Sequence, residues 1–532
     1  MRRISKNFWV IVLACLTLLA VYSASFTNDF AVHNDYRSRD YQAFKFDVSS
    51  LGGMLQHDES MHLLYIGRPI NAILFNLQQT YLVTIQDYAV ARLISFLTLL
   101  GIAIVLYFHL KTKIKASFLY VGISIFGLML LPSSALYINW ISNYVPGPLN
   151  LALALLAWLI FDQGLNSLSP PRKAAFSSIT FILLLSSCLI YPATTLFFLF
   201  VPMVKLLFDR RDWLIVRFES SAALVMMAVS LVAYYVLHKL VLLPFFKAYF
   251  GSKFESYDPT TYQFSVSLNA EILRLFWEVI NTGLHLTSIA VDNYLILLVN
   301  ALVIIFAIIA SFAFPSISTD IGNQKKNSIL KQKLLLVSAF IGLTLSPILL
   351  TSHGFVAYRI LFVFYSLCLV SWCFSLSIIL NVLRLYRPLR KSLVIGPLLL
   401  VAVCTALFNN RAVVENSKME FDYFRARLRD LSALAANNQS PVNVYVVLPR
   451  RYQSFVAQQL SYDLVYTATN YSGLMWSIVH LIAEEQGVSR KQYKIMTLNQ
   501  TYQDDFVISN KISNCKNCVI IETGKAVDAQ AH

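Results

Sequence analysis

Apolar runs of about 20 residues recur along most of the chain, and short basic clusters separate them. A helix of that length crosses the roughly 30 Å of hydrocarbon in a bilayer. The strands of a transmembrane β-barrel would instead appear as alternating segments of about ten residues. Because 57% of the 532 residues are hydrophobic and only 13% are charged, the sequence predicts a polytopic α-helical membrane protein.

The formal net charge of +15 comes largely from the basic clusters between the apolar runs. The clusters are MRRISK, KTKIK, PPRK, DRR, KKNSILKQK and RLYRPLRK. They recur at every second connection, as expected if they face the cytoplasm and fix the orientation of the neighbouring spans. No basic stripe with interleaved aromatic residues occurs in a soluble segment, so a nucleic-acid partner is not expected.

Apolar runs and basic clusters together predict about eleven spans, with the N-terminus in the cytoplasm. The approximate limits are 8–26, 88–109, 116–133, 147–163, 175–190, 192–208, 214–243, 289–313, 334–351, 360–382 and 392–408. Two alternatives stay open. The first 26 residues also fit a signal peptide, which would leave the following loop outside as before. Merging the two segments on either side of Tyr191-Pro192 would invert the orientation of everything after them.

Three long polar segments lie on the outer side in this topology: 27–87, 244–288 and 409–532. Apolar residues at helical spacing within the first segment predict helices that lie in the plane of the membrane surface. The third segment predicts an amphipathic helix, then strand-like VNVYVVL, a helix SGLMWSIVHLIAEE, and strand-like YKIMTL and CVIIET. We therefore predict a transmembrane module over 1–408 and a small extracytoplasmic α/β domain over 409–532 that ends in a short disordered tail.

Five of the seven cysteines lie inside apolar runs and have no metal-ligand spacing. The other two, Cys515 and Cys518, form a lone CxxC, which without a second pair is weak evidence for zinc. A short-loop disulfide is favoured if this region is extracytoplasmic, and the sequence does not decide between a thiol pair and a disulfide.

The loop after the first apolar run, HNDYRSRDYQAFKFD, is rich in carboxylates and arginines, and the polar run QHDES and the triplet GRP follow it. Charged groups directly outside the bilayer are suited to chemistry on a lipid-carried substrate. This loop and the segment after it are therefore the first place to look for a functional site.

The order of these features resembles the class C glycosyltransferases that use polyprenyl-phosphate sugars. More narrowly, Asn34-Asp35 followed by Arg37 or Arg39, and the run LYIGRP at 64–69, resemble the serotype-converting glucosyltransferases that modify O-antigen. In that family an acidic pair precedes an aromatic-x-x-x-Gly-Arg pattern, whereas Asn34 stands here at the position of the first acid. The resemblance implies transfer of a hexose, most simply glucosyl, from a polyprenyl-phosphate carrier to a cell-envelope glycan such as O-antigen. It also implies a multi-pass protein of the bacterial inner membrane, with this reaction on the outer side.

Such a transfer needs a carboxylate that takes the proton of the acceptor hydroxyl as its oxygen attacks the anomeric carbon. Asp35 is the candidate base, and Asp58 and Glu59 are the candidates for an assisting acid. The leaving phosphate requires cations, and guanidinium groups match its oxygens bidentately. The candidate donor-phosphate residues are Arg68, Arg359, Arg37 and His353. The candidate sugar or acceptor contacts are the interface aromatics Trp140 and Tyr144.

No cofactor is expected to be required. Asp58-Glu59 also suits a divalent ion, but adjacent acids are common in solvated loops, and we assign no metal site. Two other functions are weighed: a transporter or flippase for a lipid-linked saccharide, and a polysaccharide polymerase or ligase. Transport is disfavoured because the spans carry few internal acids and arginines and no paired broken helices suggest an inverted repeat. A polymerase or ligase would be expected to place its basic residues in large central loops.

Overall fold

The computed structural model is mainly helical. It describes residues 2–28, 30, 55, 58–82, 85–114, 118–209, 211–251, 254, 302, 323–349, 361–382, 388–437, 440–448, 472–499 and 517–522. The helices of the first half are α1 (Arg2–Thr27), α2 (Asp58–Tyr65), α3 (Pro69–Tyr81), α4 (Ile85–Lys113), α5 (Phe118–Gly127), α6 (Pro132–Asn139), α7 (Asn150–Leu165), α8 (Pro170–Ile190), α9 (Pro192–Thr195) and α10 (Phe200–Phe208). The later elements are α11 (Trp213–Leu237), α12 (Leu243–Phe250), α13 (Asn323–Leu349), α14 (Phe362–Val382), α15 (Pro388–Arg427), α16 (Leu431–Asn437), β1 (Val442–Leu448), α17 (Ser472–Glu485), β2 (Tyr493–Asn499) and β3 (Cys518–Glu522).

Within the described residues, six helical stretches are long and apolar enough to cross a membrane, or seven if one bent pair counts as a span. That pair consists of Leu119–Leu130 and Pro132–Asn139, bent by 48°. Each stretch coincides with a predicted span. Two more of the predicted spans correspond to the shorter apolar helices Ile11–Thr27 and Pro192–Phe208. The helical membrane class is therefore confirmed, while the count of eleven stays a prediction because 289–313, apart from residue 302, and part of 334–351 lie outside the described residues.

The chain reverses direction at Tyr191-Pro192, where the sequence predicted a division into two segments. α8 runs antiparallel to α7, and its last turn bonds the start of α7 through Ser187 and Asn150. After the break, Lys205 of α10 reaches Asp162 in the last turn of α7, so the second segment runs back alongside α7. Proline has no N–H and a fixed φ suited to a first helical turn, so Pro192 begins a new helix.

Asn150 holds this break together. Its Nδ2 donates to Tyr191 O at 3.0 Å and to Thr194 Oγ1 at 2.9 Å, and its Oδ1 accepts from Ser187 Oγ at 2.7 Å. Thr194 Oγ1 in turn donates to Pro146 O at 2.6 Å. A broken helix frees backbone groups that lipid cannot solvate, so these bonds permit the reversal in apolar surroundings.

Arg92 of α4 is fully buried and secures the end of α1. Its guanidinium donates to Ser25 O at 2.7 Å, to Phe30 O at 2.7 Å and to Asn28 O at 3.0 Å. The last carbonyls of a helix have no intrahelical partners and carry the negative end of the helix dipole, so a buried cation is well suited to this position. Arg92 therefore fixes the point at which the chain leaves α1.

Asn410 of α15 joins further helices at the same end of the bundle. Its Oδ1 accepts from Ser25 Oγ at 3.1 Å and from Asn139 Nδ2 at 2.7 Å, and its Nδ2 donates to Val21 O at 3.1 Å. These bonds bring together the end of α1, the end of α6 and the middle of α15. This end, which also contains the start of α4, is called the first end below.

Charged side chains form a buried network at the opposite end of the bundle. Asp162, which is 1% exposed, has Lys205 Nζ at 2.5 Å and Lys113 Nζ at 3.2 Å. Lys205 Nζ lies 3.2 Å from Glu219, and Arg211 contacts the same carboxylate with two nitrogens at 3.0 and 2.9 Å. The network thus connects α4, α7, α10 and α11.

This ionic network is electrically balanced. Its cations and anions are Lys113, Lys205, Arg211, Asp162, Asp209 and Glu219. Burial by itself would lower the pKa of Arg211, but hydrogen bonds with Glu219 and Asp209 raise it above its usual value. Each ion of the network depends on its partners for compensation.

A three-stranded parallel sheet lies in the C-terminal region, with strand order β2-β1-β3. One face packs against α15 and α17 through buried apolar side chains: Phe421, Phe424, Val442, Val444, Val446, Ile478, Ile482, Val519 and Ile521. The strands and α17 lie where the sequence predicted them. The extent of a separate domain over 409–532 stays a prediction, because 449–471 and 500–516 lie outside the described residues.

Helix α15 connects the bundle to this sheet without a break at residue 408. Its 40 residues correspond to about 60 Å, roughly twice the hydrocarbon thickness of a bilayer. Arg425 near its end pairs with Glu485 of α17 at 2.9 Å. Ile85, the first residue of α4, belongs to the core of the sheet region, and Lys418 donates to Asn28 Oδ1 at 3.3 Å. The sheet region therefore packs beside the first end of the bundle.

We expect Lys205→Met to destabilise the protein, because Asp162 and Glu219 would each lose a cation while staying buried. The free energy of unfolding should fall by about 3 kcal/mol, measured as a lower apparent melting temperature in detergent. Lys113→Met is the matched control, since that side chain is 37% exposed and should cost about 1 kcal/mol or less. Equal losses for the two variants would contradict this account of the network.

Candidate functional site

The turn between α2 and α3 presents Arg68. It is closed by bonds from Ile66 N to His62 O at 3.0 Å and from Arg68 N to Leu63 O at 2.8 Å. Gly67 adopts φ +81°, a conformation that side-chain-bearing residues rarely take, and Pro69 occupies the first position of α3. The Gly-Arg-Pro triplet therefore sets Arg68 directly before the first turn of α3.

The Arg68 side chain lies over an aromatic ring and makes no ion pair within the described part of the chain. Its guanidinium carbon is 4.2 Å from the centre of the Tyr191 ring. Its Nε is buried without a hydrogen-bond partner among the described residues, and none of the ion pairs that those residues form includes Arg68. A guanidinium has five N–H donors, so Arg68 retains hydrogen-bonding capacity for a ligand.

Gly67 also allows the turn to approach α11 and the π-helical turn that follows it. A Cβ at Gly67 would lie 2.7 Å from the Tyr234 hydroxyl and 2.8 Å from His238 Cγ and Nδ1. Tyr234 donates to Ile66 O at 3.4 Å, and its ring stacks on that of His238 with centres 6.2 Å apart. His238 is 7% exposed, and its Nδ1 has no hydrogen-bond partner among the described residues. These two side chains therefore pack against the turn that carries Arg68.

This site favours an anion. The first N–H groups of a helix have no intrahelical acceptors and mark the positive end of the helix dipole, so the start of α3 attracts negative charge. Arg68 adds a full positive charge at the same position. We define the Arg68 site by Arg68, Tyr191, Tyr234, His238 and the first turn of α3.

Of the two predicted sugar contacts, one is found close to this site and the other is not. Tyr144 is half-buried and packs in a cluster with Tyr191, Ile70 and Leu74, so it lies near Arg68. Trp140 is only 4% exposed within the main helical core, which leaves little of its ring for a sugar. Its role as a sugar contact stays a prediction.

The other predicted residues are described in part or not at all. Asp58 and Glu59 are the first two residues of α2, and nothing is described of their side chains. Asp35, Arg37, His353 and Arg359 lie outside the described residues. Within the described part of the chain, no group of three or more potential metal ligands converges.

Sequence reasoning missed Tyr191, Tyr234 and His238 as partners of Arg68. They come from segments more than 100 residues away, and no local pattern connects them to the Gly-Arg-Pro triplet. One signal was present, since His238 and Lys239 are adjacent ionisable residues within an apolar run, and such residues are commonly functional.

Comparison with protein-family models, with curated proteins and with solved structures gave no match for this chain. The geometry of the Arg68 site and the sequence motifs are therefore the features that point to a function.

Gly67→Ala should destabilise the protein through its added methyl group as well as through its positive φ. We expect a loss of about 2 kcal/mol in the free energy of unfolding, from left-handed strain and overpacking. Adding Tyr234→Phe should recover about 1 kcal/mol, because it removes the nearest clashing atom. The measurement is a double-mutant cycle of thermal unfolding in detergent.

Gly251→Ala is the matched control, since Gly251 has φ +62° but no described residue lies within 4 Å of the point that a Cβ would occupy there. It should show no coupling to Tyr234→Phe. Equal coupling in the two cycles would mean that Gly67 does not contact Tyr234 in this way.

Proposed function

We propose that this protein transfers a hexose, most simply glucosyl, from a polyprenyl-phosphate carrier to a cell-envelope glycan such as O-antigen. The reaction would take place on the outer side of the bacterial inner membrane, with the first end of the bundle facing outward. The sheet region would then also be extracytoplasmic.

The observation that carries this proposal is the Arg68 guanidinium, which has an unused donor and no paired carboxylate among the described residues. A half-buried cation without a counter-ion is costly, and an anionic ligand would supply the charge that the described residues do not. A lipid phosphate would be presented at the ends of the apolar helices, which is where Arg68 lies. Bidentate bonds from the guanidinium and bonds from the first turn of α3 would stabilise its oxygens.

The predicted base is tied by sequence to the same end of the bundle. Asp35 follows Phe30 by five residues, and five extended residues reach at most about 18 Å. Phe30 is held by Arg92 near the start of α4. The start of α4 is in turn joined to α3 through a small cluster containing Leu82, Tyr88 and Ile141. Phe30, the described residue that precedes Asp35 in the sequence, is therefore held beside a helix that contacts the end of α3.

The proposed chemistry is a single displacement at the anomeric carbon. The acceptor oxygen forms a bond to that carbon, the bond from the carbon to the phosphate oxygen breaks, and polyprenyl phosphate leaves with the bonding pair. Asp35 takes the acceptor's proton and later releases it to water. Arg68 would stabilise the charge that develops on the leaving phosphate. The sheet region, which packs beside Asn28, would hold the acceptor.

A transporter of lipid-linked saccharides is a second candidate, favoured by one observation. The buried Asp162, Lys205 and Glu219 are charges inside apolar segments, which often belong to ion pathways. In this protein they are mutually compensated and lie at the end of the bundle opposite to Arg68. That arrangement is more typical of charges that stabilise helix packing than of a transporter's binding site near the midplane of the membrane.

Glycosidic bond formation in detergent solution separates the two functions, because a transporter forms no product there. We expect purified protein to transfer glucose from polyprenyl-phosphate glucose to an O-antigen acceptor, and Asp35→Asn to lower the rate by at least about a hundredfold. Asp47→Asn, in the same loop but outside the motif, is the control and should retain activity. A variant at Asp35 with normal turnover would remove this residue from the reaction.

A further inference from the structure

Three buried amide side chains near Arg68 have polar atoms without a hydrogen-bond partner among the described residues. They are Oδ1 of Asn71, Oε1 of Gln79 and Nδ2 of Asn143. Their side chains belong to residues that are 4%, 2% and 6% exposed. Buried amides are nearly always hydrogen-bonded, so several such exceptions in one region indicate a ligand or water that completes them.

The three amides belong to elements that touch. Asn71 and Gln79 are on α3, and Asn143 ends the short 3-10 helix Ile141–Asn143. Gln78 Nε2 of α3 donates to Ile141 O at 2.8 Å, which joins the two elements. Asn71 and Gln78 are seven residues apart and so lie on the same face of α3. The side of α3 that faces the 141–149 segment therefore carries Asn71 and Gln78, whereas Gln79 lies about 12 Å beyond Asn71 along the helix and on a different side.

Asn71 and Asn143 lie beside the Arg68 site. Asn71 is three residues after Arg68, which corresponds to a rise of about 4.5 Å along α3, comparable to the width of a pyranose ring. Tyr144 directly follows Asn143 and packs with Tyr191, over which the Arg68 guanidinium lies. A sugar attached to a phosphate at Arg68 would therefore have these amides within reach.

We propose that Asn71 and Asn143 form a subsite for the hydroxyl groups of the transferred hexose. This inference rests on the proposed function. The Asn71 amide oxygen would accept a hydrogen bond from a sugar hydroxyl, and Asn143 Nδ2 would donate one to a sugar oxygen. Neutral amides suit a neutral polyol better than a second anion, because they offer both acceptors and donors without a net charge. Selectivity follows, since a site built to bond a hydroxyl disfavours analogues that lack it.

The test compares transfer from polyprenyl-phosphate glucose with transfer from its single-deoxy analogues. In the wild-type protein, removal of the bonded hydroxyl should lower kcat/KM by about tenfold to a hundredfold. In Asn71→Leu, kcat/KM for the full sugar should fall by a similar factor. Removing the same hydroxyl from the donor should then lower the kcat/KM of this variant little further. Asn143→Leu should show the same pattern, with the same or another hydroxyl.

Stability gives a second readout. Asn71→Leu removes an unsatisfied buried polar atom, so its apparent melting temperature should equal or exceed that of the wild type. Asn76→Leu is the control, because Asn76 is a buried amide of the same helix that bonds Ser60 Oγ at 2.8 Å. It should lower the melting temperature and leave the wild-type ratios between deoxy donors unchanged.

The inference is overturned if each deoxy analogue gives the same ratio in Asn71→Leu, Asn143→Leu and the wild type, which would mean that the amides hold only water. The proposed function would survive that result, because glucose would still be transferred. If the wild-type protein transferred no sugar at all while binding the glucose-bearing and bare carriers equally, both proposals would fail.

Discussion

The hydrogen bonds of Asn150 are the interaction on which the rest of this structure depends. They join the Tyr191 carbonyl and the Thr194 and Thr195 hydroxyls to the start of α7 where the chain reverses, and the hydrocarbon of a bilayer could not supply such bonds. The reversal places α10 alongside α7, so that Lys205 reaches Asp162 at one end. At the other end it fixes the Tyr191 ring under Arg68. One side chain thereby sets the positions of both charged regions.

Charged side chains are paired differently at the two ends of the bundle. At one end the charged groups compensate each other and are buried, and such a network stabilises the packing of helices without offering a site. At the other end Arg92 is bonded to three backbone carbonyls, whereas Arg68 has, among the described residues, an aromatic ring and a helix N-terminus around it. Under the proposed function, the phosphate of the ligand would supply the negative charge that Arg68 does not find among the described residues.

Local patterns in the sequence predicted much of this fold. Apolar runs located the six or seven membrane-length helical stretches of the described residues, Pro192 located the reversal, and period-two and helical patterns located β1, β2, β3 and α17. The ionic network was missed, because Lys205 and Glu219 each look like isolated charges near the end of an apolar run. Their pairing depends on how α10 packs against α7 and α11, which no local pattern encodes. The Gly-Arg-Pro motif identified Arg68, but its aromatic and histidine neighbours come from distant helices for the same reason.

The central claim is that Arg68 holds the phosphate of a polyprenyl carrier, and direct binding tests it with least dependence on the rest of the reaction. The measurement is the affinity of the purified protein for polyprenyl phosphate and for the uncharged polyprenol of equal length, with the wild type and Arg68→Leu. We predict that the phosphate binds the wild type at least about tenfold more tightly than the alcohol, since charge-assisted hydrogen bonds contribute about 1.5–3 kcal/mol. In Arg68→Leu this preference should largely disappear. Equal binding of the two lipids by the wild type, or an unchanged preference in Arg68→Leu, would contradict the account.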